Sequence, residues 1–441
     1  MAGSGTGILY QWQLSTDGGA NYNNIAGATS ATYSIPVVTF AMNNNRYRCQ
    51  LSNATCPTPG TSNAAILTVN TLPAISSSPS NAVICVGGSN TFNVAATGTG
   101  ITYQWQLSVG GGPFNNIAGA NASSYTVSGA TIGMDGNRYQ CVVSGTCAPP
   151  ATSGFGTLTV IAPVSIAAAG QPAASVICSG SNTSFTVTGT STQTIIYQWQ
   201  VSTDGGVNWN PVSNGGIYSG ATTATLTITN ATTTVDTYRY RCLLSNATCT
   251  VPTISAVALL TVRQLPTVTL TASQASLLPG QSSVLTAVPS ASTGGVLTTT
   301  WLFNGVAPVP PITGNTYIAN VEHVGTYQVL IQETFTGPAL VCSNQSAIVS
   351  ITATASGKLF IFPSPNNGSF TVSYYNNGGT STKRTIAIFD SKGSRVFNRQ
   401  FNITGAYTLI GVDLHINGHY YVVVADIDGK KLATGKVEIL R

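Results

Sequence analysis

Lysine is absent from residues 1–355, where six arginines balance four aspartates and two glutamates. Charged residues make up 6% of the chain, against about a quarter of an ordinary domain. A near-neutral surface of this kind carries no electrostatic footprint for nucleic acid. Without lysine, this stretch also excludes lysine–asparagine isopeptide cross-links. Amphipathic helices are missing, and no apolar run reaches the ~20 residues of a membrane span. The opening Met1-Ala-Gly-Ser-Gly-Thr-Gly is not a basic-then-apolar leader. The whole chain has three glutamates and three histidines, too scattered for a glycosidase carboxylate pair. No serine sits in a Gly-x-Ser-x-Gly elbow with a histidine downstream. His415 and His419 lie four apart in strand-and-turn sequence, not on a helix face, so no metal site is expected there. Asp426, Asp428 and Gly429 fit a hairpin turn better than a calcium loop, which needs more length and a closing glutamate. These absences point to a non-enzymatic chain with no cofactor and no metal.

What is present is repetition. Tyr10-Gln-Trp-Gln-Leu-Ser returns at Tyr103 and, with valine for leucine, at Tyr197, a period of about 93 residues. Each copy is followed by an Arg-Tyr-x-Cys run ending at Cys49, Cys141 or Cys242, then by a Leu-Thr-Val run ending at Val69, Val160 or Val262. Segments such as Thr91-Phe-Asn-Val-Ala alternate apolar and polar, as strands with one buried face do. Glycine, asparagine, serine and threonine supply the turns. The expected fold class is all-β: tandem immunoglobulin-like β-sandwiches followed by a small C-terminal antiparallel β-sandwich. Expected boundaries are 1–70, 71–161, 162–263, 264–354 and 355–441. Prolines after the closing strands, in Thr71-Leu-Pro, Ile161-Ala-Pro and Gln264-Leu-Pro, imply short, stiff linkers.

A tryptophan followed some 35–45 residues later by Tyr-x-Cys resembles the immunoglobulin fold. The resemblance implies core positions for Trp12, Trp105, Trp199 and Trp301. It implies tyrosine-corner positions for Tyr47, Tyr139, Tyr240 and Tyr327. The fourth repeat has Val329 where the cysteine would stand. Nine cysteines and little charge suit an oxidising compartment. Cys85 and Cys178 fall at the turn into the second strand. Bridges from Cys85 to Cys141 and from Cys178 to Cys242 are the first choice, leaving Cys56, Cys147 and Cys249 without partners. Bridges to those third cysteines are the rival, as is a hairpin bridge such as Cys49 to Cys56, since spacing does not fix connectivity.

Ser202-Thr-Asp-Gly-Gly-Val-Asn-Trp209 matches the Asp-box pattern of sialidases, and Ser15 to Tyr22 is a weaker copy. In that family the box is a structural hairpin turn, and the arginine cluster needed to hold a sialic acid carboxylate is absent here. Loops after the tryptophan strand carry Tyr22-Asn-Asn, Phe114-Asn-Asn and Trp209-Asn, which suit a glycan or protein ligand but equally suit hairpin packing.

From Gly357 the character changes. All six lysines and the net charge of +5 belong to the last 86 residues. Phe362-Pro-Ser-Pro-Asn-Asn-Gly, Asp390-Ser-Lys-Gly, Gly418-His-Tyr and the final Lys436-Val-Glu-Ile-Leu follow in order. This segment resembles the C-terminal sorting domain of the type IX secretion system of Bacteroidota. Pro363, Pro365, Gly368, Asp390, Gly393, Gly418, Tyr420 and Lys436 fall on the family's positions. Phe362 and Ser364 replace its usual tyrosine and asparagine. The resemblance implies export to the cell surface or medium, the secretion machinery and its sortase as partners, and a possible lipopolysaccharide anchor. The repeats resemble immunoglobulin-like modules of large surface proteins. The expected role is an adhesin or stalk. Alternatives are the spacer and address of a secreted enzyme, or a filament subunit assembled by strand complementation. About thirty residues precede the tryptophan strand in the second copy but only nine in the first. The first repeat is therefore expected to lack its opening strands, the chain being the C-terminal part of a longer protein.

Overall fold

The computed structural model describes residues 7–55, 58–337, 339–376 and 383–440. They form two compact units: residues 1–171 with 188–197 and 243–255, and residues 172–187 with 198–242 and 256–441. About half of the chain is strand, and the helical segments among the described residues are four single-turn 3₁₀ segments.

In the first unit, the second repeat is a complete sandwich. One sheet runs Asn115–Asn116, Thr102–Ser108, Arg138–Ser144, Gly156–Ile161 and Ala82–Cys85, with Ala151–Thr152 paired to Arg138–Ser144. The last pairing is parallel and sets Cys85 beside Ile161. Opposite lies the ribbon of Asn90–Asn93 with Ser124–Val127. Between the sheets sit Trp105, Tyr139, Cys141 and Leu158 from one side and Phe92, Val94 and Val127 from the other. Alternation of inward and outward residues along each strand places them there.

The first repeat differs. Its Leu9–Ser15, Asn23–Asn24, Arg46–Ser52, Gly60–Thr61 and Ala65–Ile66 form one five-stranded sheet. No second sheet faces it among the described residues. Trp12 and Tyr47 are therefore only half-buried, whereas Trp105 is 0% and Tyr139 3% exposed.

In the second unit, the third repeat pairs Ser175–Cys178 with Ala258–Arg263 in parallel and faces them with Ser181–Thr186, Thr225–Ala231 and Tyr218–Ser219. The fourth repeat sets Val268–Ala272, Ser283–Pro289 and Thr316–Ala319 against a five-stranded sheet centred on the long strand Gly325–Thr336. Its core holds Trp301, Tyr327 and Val329. The tail is a separate sandwich of three strands on four, cored by Phe370, Val372, Ile386, Ile388, Val422 and Val424. Tyr407 of the tail leaves that core, is buried with the fourth repeat's apolar cluster, and donates its hydroxyl to Thr354 O at 2.9 Å.

Candidate functional site

The repeated Tyr-Gln-Trp-Gln-x-Ser run is a bonding scheme. Its first glutamine donates to a hairpin carbonyl: Gln11 to Ile25, Gln104 to Ile117 and Gln198 to Val212, at 2.8–2.9 Å. The indole N–H of Trp12, Trp105, Trp199 and Trp301 donates to Ser30, Ala122, Thr223 and Gly314 O respectively, at 2.9–3.0 Å. The second glutamine accepts from the partner strand, Gln13 from Arg48, Gln106 from Gln140 and Gln200 from Arg241, each at 2.8 Å. Buried tryptophans thus keep their one polar atom satisfied.

Tyr139, Tyr240 and Tyr327 are buried in their cores while Tyr47 is half-buried, and the hydroxyls do not share one hydrogen-bonding pattern. Tyr327 makes the tyrosine-corner contact, its hydroxyl donating to His323 O at 2.5 Å. The Tyr240 hydroxyl instead meets that of Tyr218 at 3.0 Å. Burial raises the pKa of Tyr139, Tyr240 and Tyr327 above the ordinary tyrosine value.

The disulfides correct the expected pairing. Cys85 bonds Cys249 and Cys178 bonds Cys342, with Cα–Cα distances of 5.1 and 5.6 Å and the same sequence separation of 164. Each bridge leaves one repeat and enters the next. Cys141 and Cys242 are buried thiols, and Cys49 and Cys147 are thiols too. Register explains the error. Cys141 stands opposite Trp105, mid-strand and inward, whereas Cys85 lies beside Ile161, the last residue of the closing strand. A cysteine at the end of a sandwich meets the next repeat, not its own core. Burial raises the Cys141 pKa and pushes that of Cys242 up to about 12, so neither is a ready nucleophile. Cys249 sits at the tip of the hairpin formed by Arg239–Ser245 and Thr253–Ile254, and there Asn246 donates to Ala162 O of the entering linker. Cys342 stands opposite Glu333 in the strand pair at the edge of the fourth repeat. The sequence held a signal for this pairing: the fourth repeat keeps Cys342 and has no other cysteine to receive it. Cys56 lies outside the described residues.

Glu333 is fully buried, and no cationic partner meets it among the described residues. Burial pulls its pKa upward, but bonds from Gly295 N, Ser292 Oγ, Thr293 Oγ1 and Thr293 N outweigh that and hold the carboxyl below its ordinary value. The carboxylate thereby closes the 292–295 loop.

The Asp-box residues form turns. Asp204 accepts from Ser202 Oγ, Val207 N and Asn208 N, and Gly206 N donates to Ser202 Oγ. The backbone bond from Asn208, with side-chain bonds from Ser202 and Asn208, lowers its pKa to about 2. Asp17 repeats the arrangement with Ser15 and Asn21. The aromatics of these loops are covered by neighbours: the guanidinium carbon of Arg48 lies 3.7 Å from the Tyr22 ring centre, that of Arg241 lies 4.2 Å from Trp209, and Phe155 lies 6.1 Å from Phe114. Packing of the hairpins accounts for all three.

In the tail, Asp390 accepts from Lys392 N and Ser394 N, and Gly393 at φ 82° closes that turn. Tyr420 is buried and donates to Ile416 O at 2.9 Å, beside the positive-φ Gly418. Pro363 and Pro365 flank Ser364, and Asn366 and Gly368 follow, Gly368 N donating to Asn366 Oδ1. The Lys436 ammonium lies 5.5 Å from the Tyr421 ring centre. Ser364, Ser391, His419, Tyr421, Lys436 and Glu438 surround a cleft of about 530 Å³, with His419 and Glu438 3.7 Å apart. The motif residues are thus gathered in one small sandwich, mostly as turn formers. No group of three or more His, Cys, Asp or Glu side chains able to hold a metal ion occurs among the described residues.

Fold and tail together define a class: secreted, all-β proteins of tandem immunoglobulin-like sandwiches closed by a secretion address. The chain belongs to the family described as domain of unknown function (DUF8696), whose model matches residues 1–71, 75–162 and 168–264. Residues 360–437 match the secretion system C-terminal sorting domain. That tail marks the protein for export to the outer-membrane surface or the exterior of a Bacteroidota cell, and it implies interaction with the secretion machinery. Among the described residues no helix is long and apolar enough to cross a membrane. No curated protein sequence matches the chain. Among solved structures, three-domain fragments of titin, I67–I69, are similar at 16–17% identity and TM-scores of 0.41–0.42, covering 65–66% of this chain and 99–100% of theirs. Immunoglobulin domains 1–5 of Sidekick-1 are similar at 14% identity and a TM-score of 0.25, covering 98% of this chain and 91% of theirs.

Proposed function

We propose that the repeats act as a non-catalytic adhesin or stalk, partitioned at 1–70, 71–161, 162–263 and 264–354, with 355–441 as the address. The observation that carries this reading is the pair of cross-repeat disulfides with one separation of 164. Bridges between modules stiffen an array against bending and pulling, which a spacer needs and an enzyme of isolated domains does not. The polar, uncharged repeat surface fits the same role, since it resists nonspecific attraction to charged cell envelopes. In this reading a sortase removes the tail and a lipopolysaccharide anchor holds the product, with a glycan or protein as ligand. Two measurements test it. Residues 355–441, fused to a leader and a fluorescent reporter, are expressed in Bacteroidota hosts with and without a working type IX system; delivery and tail removal only in the competent host are expected. The full chain is then compared with that reporter for adherence to glycan- and protein-coated surfaces. Equal adherence would remove the adhesin and leave the stalk.

A further inference from the structure

Tyr407 belongs to the tail by sequence and to the fourth repeat by packing. It is 1% exposed and is buried with the cluster that holds Leu277, Trp301 and Tyr327 of that repeat. On the tail side it meets the rings of Phe360 and Tyr375, at centre distances of 5.8 and 5.3 Å. Its hydroxyl donates to Thr354 O at 2.9 Å, so the tail grips the residue that follows the repeat's last strand, Val349–Ala353. The repeat grips the same residue from its own side. Thr354 N donates to Leu277 O at 2.9 Å, and Thr354 Oγ1 lies 2.5 Å from Ser276 Oγ. A second contact joins tail and repeat: the Phe362 ring covers Gly280, where a Cβ would stand 3.8 Å from it.

Between Thr354 and the tail's first strand, Leu359–Phe362, only residues 355–358 remain. Ala355, Gly357 and Lys358 are exposed, yet the segment is bent, with Lys358 N donating to Ser356 Oγ at 3.2 Å. Ala355, Ser356 and Gly357 share a cleft of about 350 Å³ with Tyr374 and Tyr375. A protease binds its substrate as an extended strand that continues past the bond on both sides. So short and bent a segment cannot take that form while both its ends are tied. Leu359–Phe362 is paired with Ser369–Tyr374 inside the tail, and Thr354 is pinned to the repeat, so extension requires Tyr407 to leave its socket. We propose that Tyr407 is a latch: while the tail is docked on the fourth repeat the 354–358 junction resists cutting, and it becomes a processing site only when the tail is drawn away. This rests on the reading of the tail as a removable address and adds when removal happens. A tail lost early would leave the chain without its address. A latch that opens when the tail is pulled ties the cut to the tail's capture.

Lysine supplies the probe. Lys358 is the first lysine of the sequence and lies inside the junction, so endoproteinase Lys-C acts on the full chain only at this bond or within the tail. Water adds across the Lys358–Leu359 bond, leaving a carboxylate on Lys358 and an amine on Leu359. Tyr407→Ala should be cut there at least about tenfold faster than the unaltered chain, because loss of the buried ring shifts the balance toward the open junction. Tyr407→Phe keeps the ring but loses the bond to Thr354, and should be cut about two- to tenfold faster. Ser276→Ala acts from the repeat, leaves the tail untouched, and should speed the same cut about two- to fivefold. Lys436, inside the strand Lys431–Ile439, reports opening of the tail's own core, and its cutting should not change in any of the three. Equal rates at Lys358 for the unaltered chain and Tyr407→Ala would overturn the latch. So would a gain in Tyr407→Ala that comes with an equal gain at Lys436 and is missing from Tyr407→Phe and Ser276→Ala. Tail removal fails separately: export of the full chain by a host with a working type IX system, tail still attached, would sink that reading without altering these rates.

Discussion

Trp12 and Trp105 stand at the same place in nearly the same strand and make the same indole bond, to Ser30 and to Ala122. One is half-buried and the other fully buried. The local scheme of hairpin and glutamine bonds therefore forms without the second sheet, while burial requires it. Motif and core are separate achievements of this sequence, the first local and the second dependent on Phe92, Val94 and Val127 arriving from elsewhere in the chain.

Substitution of the two tryptophans would open that contrast widest. Trp105→Ala should cost about 3–5 kcal/mol through the cavity it leaves, and Trp12→Ala about 1–2 kcal/mol. Local hydrogen exchange in Thr102–Ser108 and Leu9–Ser15 reads each separately, and equal losses would erase the distinction. Next come the staples. Cys178→Ser should destabilise the repeats it joins by about 2–4 kcal/mol, seen as earlier urea unfolding that reductant no longer shifts further. Glu333→Gln keeps the shape but weakens the acceptor, and should cost about 1–3 kcal/mol in the fourth repeat alone. The smallest effect is on pH dependence. The Cys242 pKa is raised from 9.0 to about 12 by burial, so the native state holds a proton the unfolded chain releases. Its contribution is intact below pH 9 and is lost as pH rises toward 12. Cys242→Val should flatten that part of the urea-midpoint profile.

Much of this was legible beforehand. The period, the tryptophan strand and the Tyr-x-Cys strand beside it are written in residue order, and register pairs Trp105 with Cys141 as adjacent strands require. The tail was legible because its turns need particular residues, such as Asp390 and Gly393. The disulfide partners were not. Choosing between Cys141 and Cys249 for Cys85 depends on how the end of one sandwich meets the next, and a pattern confined within one repeat contains no term for that contact. The tyrosine hydroxyls failed for a related reason. Tyr240 has Tyr218 within reach and Tyr327 has a backbone carbonyl, a difference made by neighbours that the Tyr-x-Cys motif does not specify.

The two bridges also overlap in sequence, since Cys178 lies inside the loop closed by Cys85 and Cys249, and Cys249 inside the loop closed by Cys178 and Cys342. Any single peptide bond cut between Cys85 and Cys342 is therefore spanned by at least one disulfide. A protease encountered outside the cell can nick the exposed loops of these repeats once without separating their two ends, and severance at such a nick waits for reduction as well.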